Sequence, residues 1–101
     1  MKAYCYILYS KTLERYYVGS TILKTEERLK QHLQSHYGIT KFTHRAKDWE
    51  LFLEIECESL QQARKLEAYI KKMKSKQYIQ YMKTNPVLIV KLLDRFSFKQ
   101  D

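Results

Sequence analysis

Two strand-like runs near the start of the chain, separated by a short polar loop, constrain the fold more than any other feature. Residues 3–9 and 14–19 are rich in aromatic and β-branched side chains, and the loop between them begins at Ser10. Such a pattern predicts a β-hairpin. Gly19, one of only two glycines, ends the second run and permits a sharp exit or a close backbone approach. The hairpin gathers several tyrosines, whose phenols need hydrogen-bond partners where they are buried.

The region after residue 48 predicts a third strand and a long helix. Residues 49–57 alternate in part and are rich in strand formers, with Trp49 at the entrance. Ser59 and Gln62 have the spacing of a capping box, in which each side chain binds a backbone N–H of the helix start. The inward positions of this helix at helical spacing are Ala63, Leu66, Ile70 and Met73.

Three further helices complete the predicted fold. Thr25 can cap a helix over residues 25–33, a second helix covers residues 75–82, and Pro86 opens a last one that docks on the core. In 101 residues this order predicts one α+β unit, a small three-stranded antiparallel sheet flanked by helices. Residues 1–84 form its main domain, and residues 85–101 a helical extension packed on it.

Composition and charge narrow the classes of partner. With 45% hydrophobic and 30% charged residues the chain has a globular composition. No apolar run approaches the roughly 20 residues that span a bilayer. Lys11 interrupts the N-terminal apolar stretch, which argues against a signal peptide and predicts a cytoplasmic protein. The net charge of +8 favours polyanions, nucleic acid first and an acidic membrane surface second.

The two cysteines carry no predicted chemistry. Cys5 and Cys57 lie in apolar strand-like runs and lack the spacing of a zinc site. In a chain without an export signal, such a pair is expected to be reduced thiols in the core rather than a disulfide.

Three polar residues stand at the edges of helical apolar stripes. Arg28 and His32 are four residues apart and share one strip of the first helix. They are either a solvated surface pair or a charge and an imidazole aimed across a cleft. Glu67 lies beside the apolar stripe of the long helix, where it is either a salt-bridge partner for nearby lysines or a metal ligand.

Two basic segments are candidates for contacts with phosphates. One is the polar loop over residues 41–47, and the other is the run over residues 71–78, which contains no acid. A surface loop and a solvated helix end explain the same composition. The candidate residues for nucleic-acid binding are Lys41, Arg45, Lys47, Lys71, Lys72, Lys74 and Lys76.

Taken in order, these features resemble the GIY-YIG nuclease superfamily, and most closely its small single-domain bacterial members of the UPF0213 and structure-specific endonuclease type. The first family motif falls on residues 4–8, with Tyr6 as the motif tyrosine, and the second on residues 17–21, which begin with Tyr17. Tyr4 and Cys5 replace the glycine and isoleucine of the name, and Val18 replaces an isoleucine. The resemblance covers residues 3–83.

The resemblance also extends to the helices. Arg28 matches the helical arginine of the family, His32 stands where many members have a histidine, and Glu67 matches the metal-binding glutamate. It implies an endonuclease that hydrolyses phosphodiester bonds in DNA, with a single Mg²⁺ or Mn²⁺ as cofactor. The implied catalytic residues are Tyr6, Tyr17, Arg28, His32 and Glu67, with Glu67 as the metal ligand. The resemblance implies DNA as partner, recognised by structure in repair or recombination, with no role for a membrane. The sequence leaves the natural substrate open among flaps, branched DNA, nicked duplex and RNA.

Two other classes of function share the same charge and fold. A catalytically idle nucleic-acid-binding module would keep the lysines but would not depend on Glu67 or on metal. A structural or protein-interaction domain, dimeric through the helix after Pro86, would need none of the polar cluster.

Overall fold

The computed structural model describes residues 2–22 and 48–97. The elements in this part of the chain are β1 (Ala3–Ser10), β2 (Arg15–Thr21), β3 (Trp49–Cys57), α1 (Leu60–Met73), α2 (Lys76–Thr84) and α3 (Pro86–Arg95). They confirm the predicted α+β class with a three-stranded antiparallel sheet. The helix predicted over residues 25–33 and the basic loop over residues 41–47 lie outside the described residues.

The sheet has the order β2-β1-β3, so the first strand is central. β1 and β2 form the predicted hairpin, with Tyr6 opposite Gly19 and Leu8 opposite Tyr17. β3 pairs with the other edge of β1, with one shift of register between Ile7 and Leu8. Because side chains alternate between faces, this register puts Tyr6 and Tyr17 on one face of the sheet.

Gly19 does not end the second strand, contrary to the sequence-based expectation, because β2 continues to Thr21. The reason for the glycine is the aromatic ring opposite. A Cβ atom at this position would lie 2.6 Å from Cζ and 3.1 Å from Cε1 of Tyr6, and closer still to the phenol oxygen. The close approach that glycine permits is therefore made by the Tyr6 side chain.

The main core lies between one face of the sheet and the helices. Cys5 and Ile7 of β1 and Val18 of β2 point into it, and they meet the buried face of α1. This core also contains Ala3, Ile55, Cys57, Ala63, Leu66, Ile70, Ile79, Met82 and Leu92. The opposite face carries a smaller buried cluster of Tyr6, Leu8 and Trp49, with Leu13 and Tyr17 packed against it.

The cap predicted at Ser59 is present, with one difference. Ser59 Oγ accepts a hydrogen bond from the backbone N–H of Gln62 at 3.1 Å, as in a capping box. Gln62 Oε1, however, accepts from the N–H of Glu58 at 2.7 Å, one residue before the cap. Its Nε2 donates to the carbonyl of Leu93 at 2.7 Å. The buried amide of Gln62 therefore joins the start of α1 to the end of α3.

Both remaining helices begin at side-chain caps. Ser75 caps α2 by accepting from the N–H of Tyr78 at 3.1 Å, and Asn85 caps α3 by accepting from the N–H of Leu88 at 3.3 Å. Met73, predicted to face inward, is 40% exposed because it is the last residue of α1 and the chain turns away at Lys74. In residues 2–22 and 48–97, no helix combines the length and the apolar character needed to cross a membrane.

Candidate active site

The two motif tyrosines pack against each other on neighbouring strands. Their ring centroids are 6.5 Å apart, and the indole of Trp49 lies 6.4 Å from the ring of Tyr17. Tyr6 is only 1% exposed, whereas Tyr17 is half-buried. Of the two phenols, that of Tyr17 is thus the more accessible to solvent.

Glu67 lies in the middle of α1 with both carboxylate oxygens engaged. Ser20 Oγ donates a hydrogen bond to Oε1 at 2.6 Å, and Lys71 Nζ makes an ion pair with Oε2 at 2.5 Å. The Glu67 side chain is 20% exposed. Ser20 points toward α1 because it is two residues beyond Val18, which faces the core. The strand therefore supplies a donor that fixes the orientation of the carboxylate.

The Glu67 carboxylate lies on one face of the sheet and the two tyrosines lie on the other. Lys71 connects the two sides. Its Nζ contacts Glu67 and lies 6.0 Å from the centroid of the Tyr17 ring. Tyr17, Ser20, Glu67 and Lys71 thus form one continuous group along β2, which we call the edge cluster. Tyr17 and Glu67, both predicted for the site, lie on opposite faces of the sheet at its outer strand, with the Lys71 ammonium near both.

A single carboxylate in this setting fits the way in which Mg²⁺ is usually bound. Mg²⁺ keeps several waters and takes one or two protein carboxylates together with substrate phosphates. Within residues 2–22 and 48–97, no group of three or more histidine, cysteine, aspartate or glutamate residues could hold a metal ion. Among these residues, the donor set of the edge cluster is therefore one carboxylate, Glu67, whose second oxygen is held by a flexible ammonium.

The other predicted site residues divide into two groups. Arg28, His32, Lys41, Arg45 and Lys47 lie outside the described residues, so their convergence with the tyrosines stays a prediction. The second group comprises the exposed lysines at the junction of α1 and α2, namely Lys71, Lys72, Lys74 and Lys76.

Two of these lysines have specific structural features. Lys74 ends α1 in the left-handed conformation, with φ 48° and ψ 39°. Lys76 Nζ donates a hydrogen bond to the carbonyl of Glu14 at 2.8 Å, which ties α2 to the turn of the hairpin. This bond uses a neutral acceptor, so the ammonium of Lys76 keeps its charge for an anion.

Sequence reasoning did not identify Ser20 or Asp48. The alternation of β2 could have placed Ser20 on the face of the glutamate helix, although not opposite Glu67 itself. Asp48 accepts from Ser10 Oγ at 2.6 Å and from the N–H and Oγ1 of Thr12, both at 2.8 Å. These bonds, that of Ser10 first, lower the pKa of Asp48 to about 2. No local pattern links Asp48 to a turn 36 residues earlier.

The thiols do not contribute a nucleophile. Cys5 and Cys57 are free and buried, as predicted. Burial raises the pKa of Cys5 far above its ordinary value, and raises the pKa of Cys57 to about 11. Because the thiolate is the reactive form, both groups are inert near neutral pH.

Comparison with known proteins identifies the family. No curated protein and no solved structure matches the chain at a significant level. The family model of the GIY-YIG catalytic domain matches residues 2–84, a region that contains the hairpin, β3, α1 and α2. The chain therefore belongs to the GIY-YIG catalytic domain family.

Proposed function

We propose that this chain is a metal-dependent endonuclease that hydrolyses phosphodiester bonds in DNA and recognises the structure of its substrate rather than its sequence. Domains of this family are typically endonucleases and generally use divalent metal ions. The observation that carries the proposal for this chain is Glu67, oriented by Ser20 and placed beside Tyr17 through Lys71. Repair or recombination is the process that such an activity would serve.

Glu67 is the residue that would hold Mg²⁺ or Mn²⁺, through the oxygen that Lys71 now neutralises. Bound there, the cation would stabilise charge on the phosphate and lower the pKa of a bound water. Ser20 keeps Oε1 in a fixed position, so only Oε2 has to exchange its partner. Lys71 has a long, flexible side chain and can move its ammonium onto a substrate phosphate when it leaves the carboxylate.

The two tyrosines have different roles in this proposal. Tyr17, which is half-buried and whose ring lies 6.0 Å from the Lys71 ammonium, orients the attacking water or takes its proton. Tyr6 is buried and acts by holding the ring of Tyr17 in place. Arg28, as a fixed charge on the phosphate, and His32, as a proton relay, are roles implied by the family pattern.

A cleavage panel tests the proposal. Flapped, branched, single-stranded and duplex DNA are incubated with Mg²⁺, Mn²⁺ or a chelator, and the products are measured with the parent and with Glu67→Gln. The substitution keeps the shape of the side chain but removes the charge that holds a hard cation. We expect metal-dependent cleavage by the parent and a loss of on the order of a hundredfold or more in the variant. Glu50→Gln, an exposed position on β3, makes the same chemical change away from the edge cluster.

An idle nucleic-acid-binding module is the second candidate, and one observation favours it. The Glu67 carboxylate has a cationic partner four residues along the same helix, Lys71, as a structural ion pair would. In that case the parent would bind DNA but cleave no substrate of the panel, and Glu67→Gln would leave binding unchanged. Cleavage by the variant at the rate of the parent would show that Glu67 is only an ion-pair residue. Membership of the UPF0213 group and a cytoplasmic location stay predictions from the sequence.

A further inference from the structure

A cleft of about 460 Å³ opens beside the edge cluster, between β2 and the junction of α1 and α2. Tyr17 and Lys71 belong both to the edge cluster and to the wall of this cleft. A chain bound in the cleft would therefore lie next to the edge cluster. The volume lies within the roughly 300–1,000 Å³ of ordinary ligand sites.

The rim of the cleft is cationic. Arg15, Lys71, Lys74 and Lys76 line it and are exposed, and no acidic residue is among the lining residues. In residues 2–22 and 48–97, only Lys71 of these four makes an ion pair with a carboxylate. Lys76 binds the carbonyl of Glu14 and so holds the two walls together without losing its charge. This concentration of uncompensated positive charge fits a polyanion.

Two tyrosines and three aliphatic side chains form the apolar floor of the cleft. Tyr16 and Tyr17 are half-buried, whereas Val18, Ile70 and Ile79 are core residues that are 7%, 1% and 7% exposed, so the tyrosine rings are the part of the floor that a ligand can reach. A base-paired duplex presents phosphates at its surface and keeps its bases stacked inside, so it would leave an apolar floor unused. An unpaired nucleotide presents both a phosphate and the face of a base, which matches a cationic rim above an apolar floor.

The backbone of Lys74 gives independent support. A lysine in the left-handed conformation costs about 1–2 kcal/mol, and helices usually place glycine or asparagine at such a position. Strained residues cluster at functional sites, where the side chain is needed in one particular place. Here the strain turns the chain from α1 into α2 and puts a lysine on the rim of the cleft.

We propose that this cleft binds an unpaired stretch of the DNA strand next to the phosphate that is cut. The proposal rests on the proposed nuclease function and specifies its substrate class: DNA with a single-stranded arm at the junction with duplex. Arg15, Lys74 and Lys76 bind the phosphates of the arm, and its bases stack on the tyrosine rings of the floor. Recognition by structure then comes from a site that only an unpaired strand can occupy.

Binding is tested in the Glu67→Gln background, where cleavage does not interfere. Fluorescence anisotropy compares labelled hexathymidylate with an abasic oligonucleotide of the same charge. A stacked base supplies a factor of roughly five to a hundred, so the abasic chain is expected to bind weaker by this factor. Equal affinity for the two would overturn the proposal, because it would show that the bases do not enter the cleft. Equal competition by hexaglutamate would also overturn it, in favour of an acidic peptide.

A pair of charge-matched double variants locates the site. Arg15→Gln with Lys74→Gln removes two cations of the rim, whereas Arg64→Gln with Lys91→Gln removes two exposed cations that do not line the cleft. Each phosphate contact on a single strand adds about 0.7 to the slope of log K against log salt, so the rim variant should lose about 1.4. The control should lose distinctly less, and equal losses would overturn the proposal.

Lys74→Gly separates binding from folding. Glycine relieves the left-handed backbone, so the variant should melt at or above the temperature of the parent while it binds hexathymidylate more weakly. Unchanged affinity would overturn the role of Lys74 in binding.

The two proposals can fail separately. If the parent cleaves no DNA but these binding results hold, the nuclease proposal fails and the proposal for the cleft is supported. If the parent cleaves flapped DNA and the rim variant cleaves it equally well, the cleft proposal fails and the nuclease stands.

Discussion

The contact between Gly19 and Tyr6 gives the sharpest prediction about stability. Gly19→Ala puts a methyl group 2.6 Å from Cζ of a ring that is only 1% exposed, so either the ring must shift or β1 and β2 must separate. Overpacking of this kind costs about 1–3 kcal/mol. Without the clash, alanine would stabilise the strand by about 0.4–1 kcal/mol, because it restricts the unfolded chain more than glycine does. The sign of the change in the free energy of unfolding therefore shows whether the Tyr6 ring occupies the space in front of Gly19.

A double-mutant cycle with Tyr6→Leu isolates the contact. Leucine lacks the outer ring atoms that the methyl group would meet, so Gly19→Ala should cost little or become stabilising in that background, with a coupling of about 1–3 kcal/mol. Thermal and urea unfolding measure all four proteins, and no activity is required. A domain of this size loses about 4–8 °C in Tm per kcal/mol, so the single variant should melt clearly below the parent. Additive effects, or a single variant as stable as the parent, would refute the role assigned to the ring.

Two further predictions concern side chains that the sequence did not identify. Ser20→Ala removes the donor to Oε1 of Glu67 and should lower metal-dependent cleavage about 10–100-fold. Calorimetry should show a weaker affinity for Mn²⁺, while the unfolding transition stays unchanged. An affinity for Mn²⁺ equal to that of the parent would contradict this prediction. The pKa of Asp48 is lowered in the fold to about 2 from 3.8, so its contribution to stability is present above about pH 4 and is lost as the pH falls toward 2. Asp48→Asn should flatten the fall in Tm over this window. Equal slopes in the parent and in Asp48→Asn would count against the Asp48 assignment.

Local patterns predicted most of the fold. The third strand, over residues 49–57, coincides with its predicted bounds because strand formers fill it and a helix cap follows at once. Ser59 and Pro86 marked two helix starts, since capping and proline geometry depend only on adjacent residues. The role of Gly19 does not follow from local sequence, because a glycine looks the same in a strand pattern whether it ends the strand or makes room for an aromatic ring. Only the register with Tyr6 distinguishes the two cases.

The candidate site depends on contacts that local patterns do not encode. Ser20 and Glu67 are 47 residues apart, and Lys76 and Glu14 are 62 apart. Their meeting is decided by how α1 packs across β2, which the periodicity of either element leaves open. The pairing of Tyr6 with Tyr17 was closer to prediction, because hairpin register follows from a short turn.

The hydrogen bond between Gln62 and Leu93 shows where this catalytic unit can be cut for use in fusion proteins. Similarity to the family ends at residue 84, which suggests α3 as a dispensable appendage. Yet cutting there would leave the buried Nε2 of Gln62 without its acceptor, at a cost of about 1–3 kcal/mol, and would uncover the apolar surface against which Leu92 packs. The boundary of similarity and the boundary of folding are therefore different, and a transplanted unit should carry α3 through Ser97.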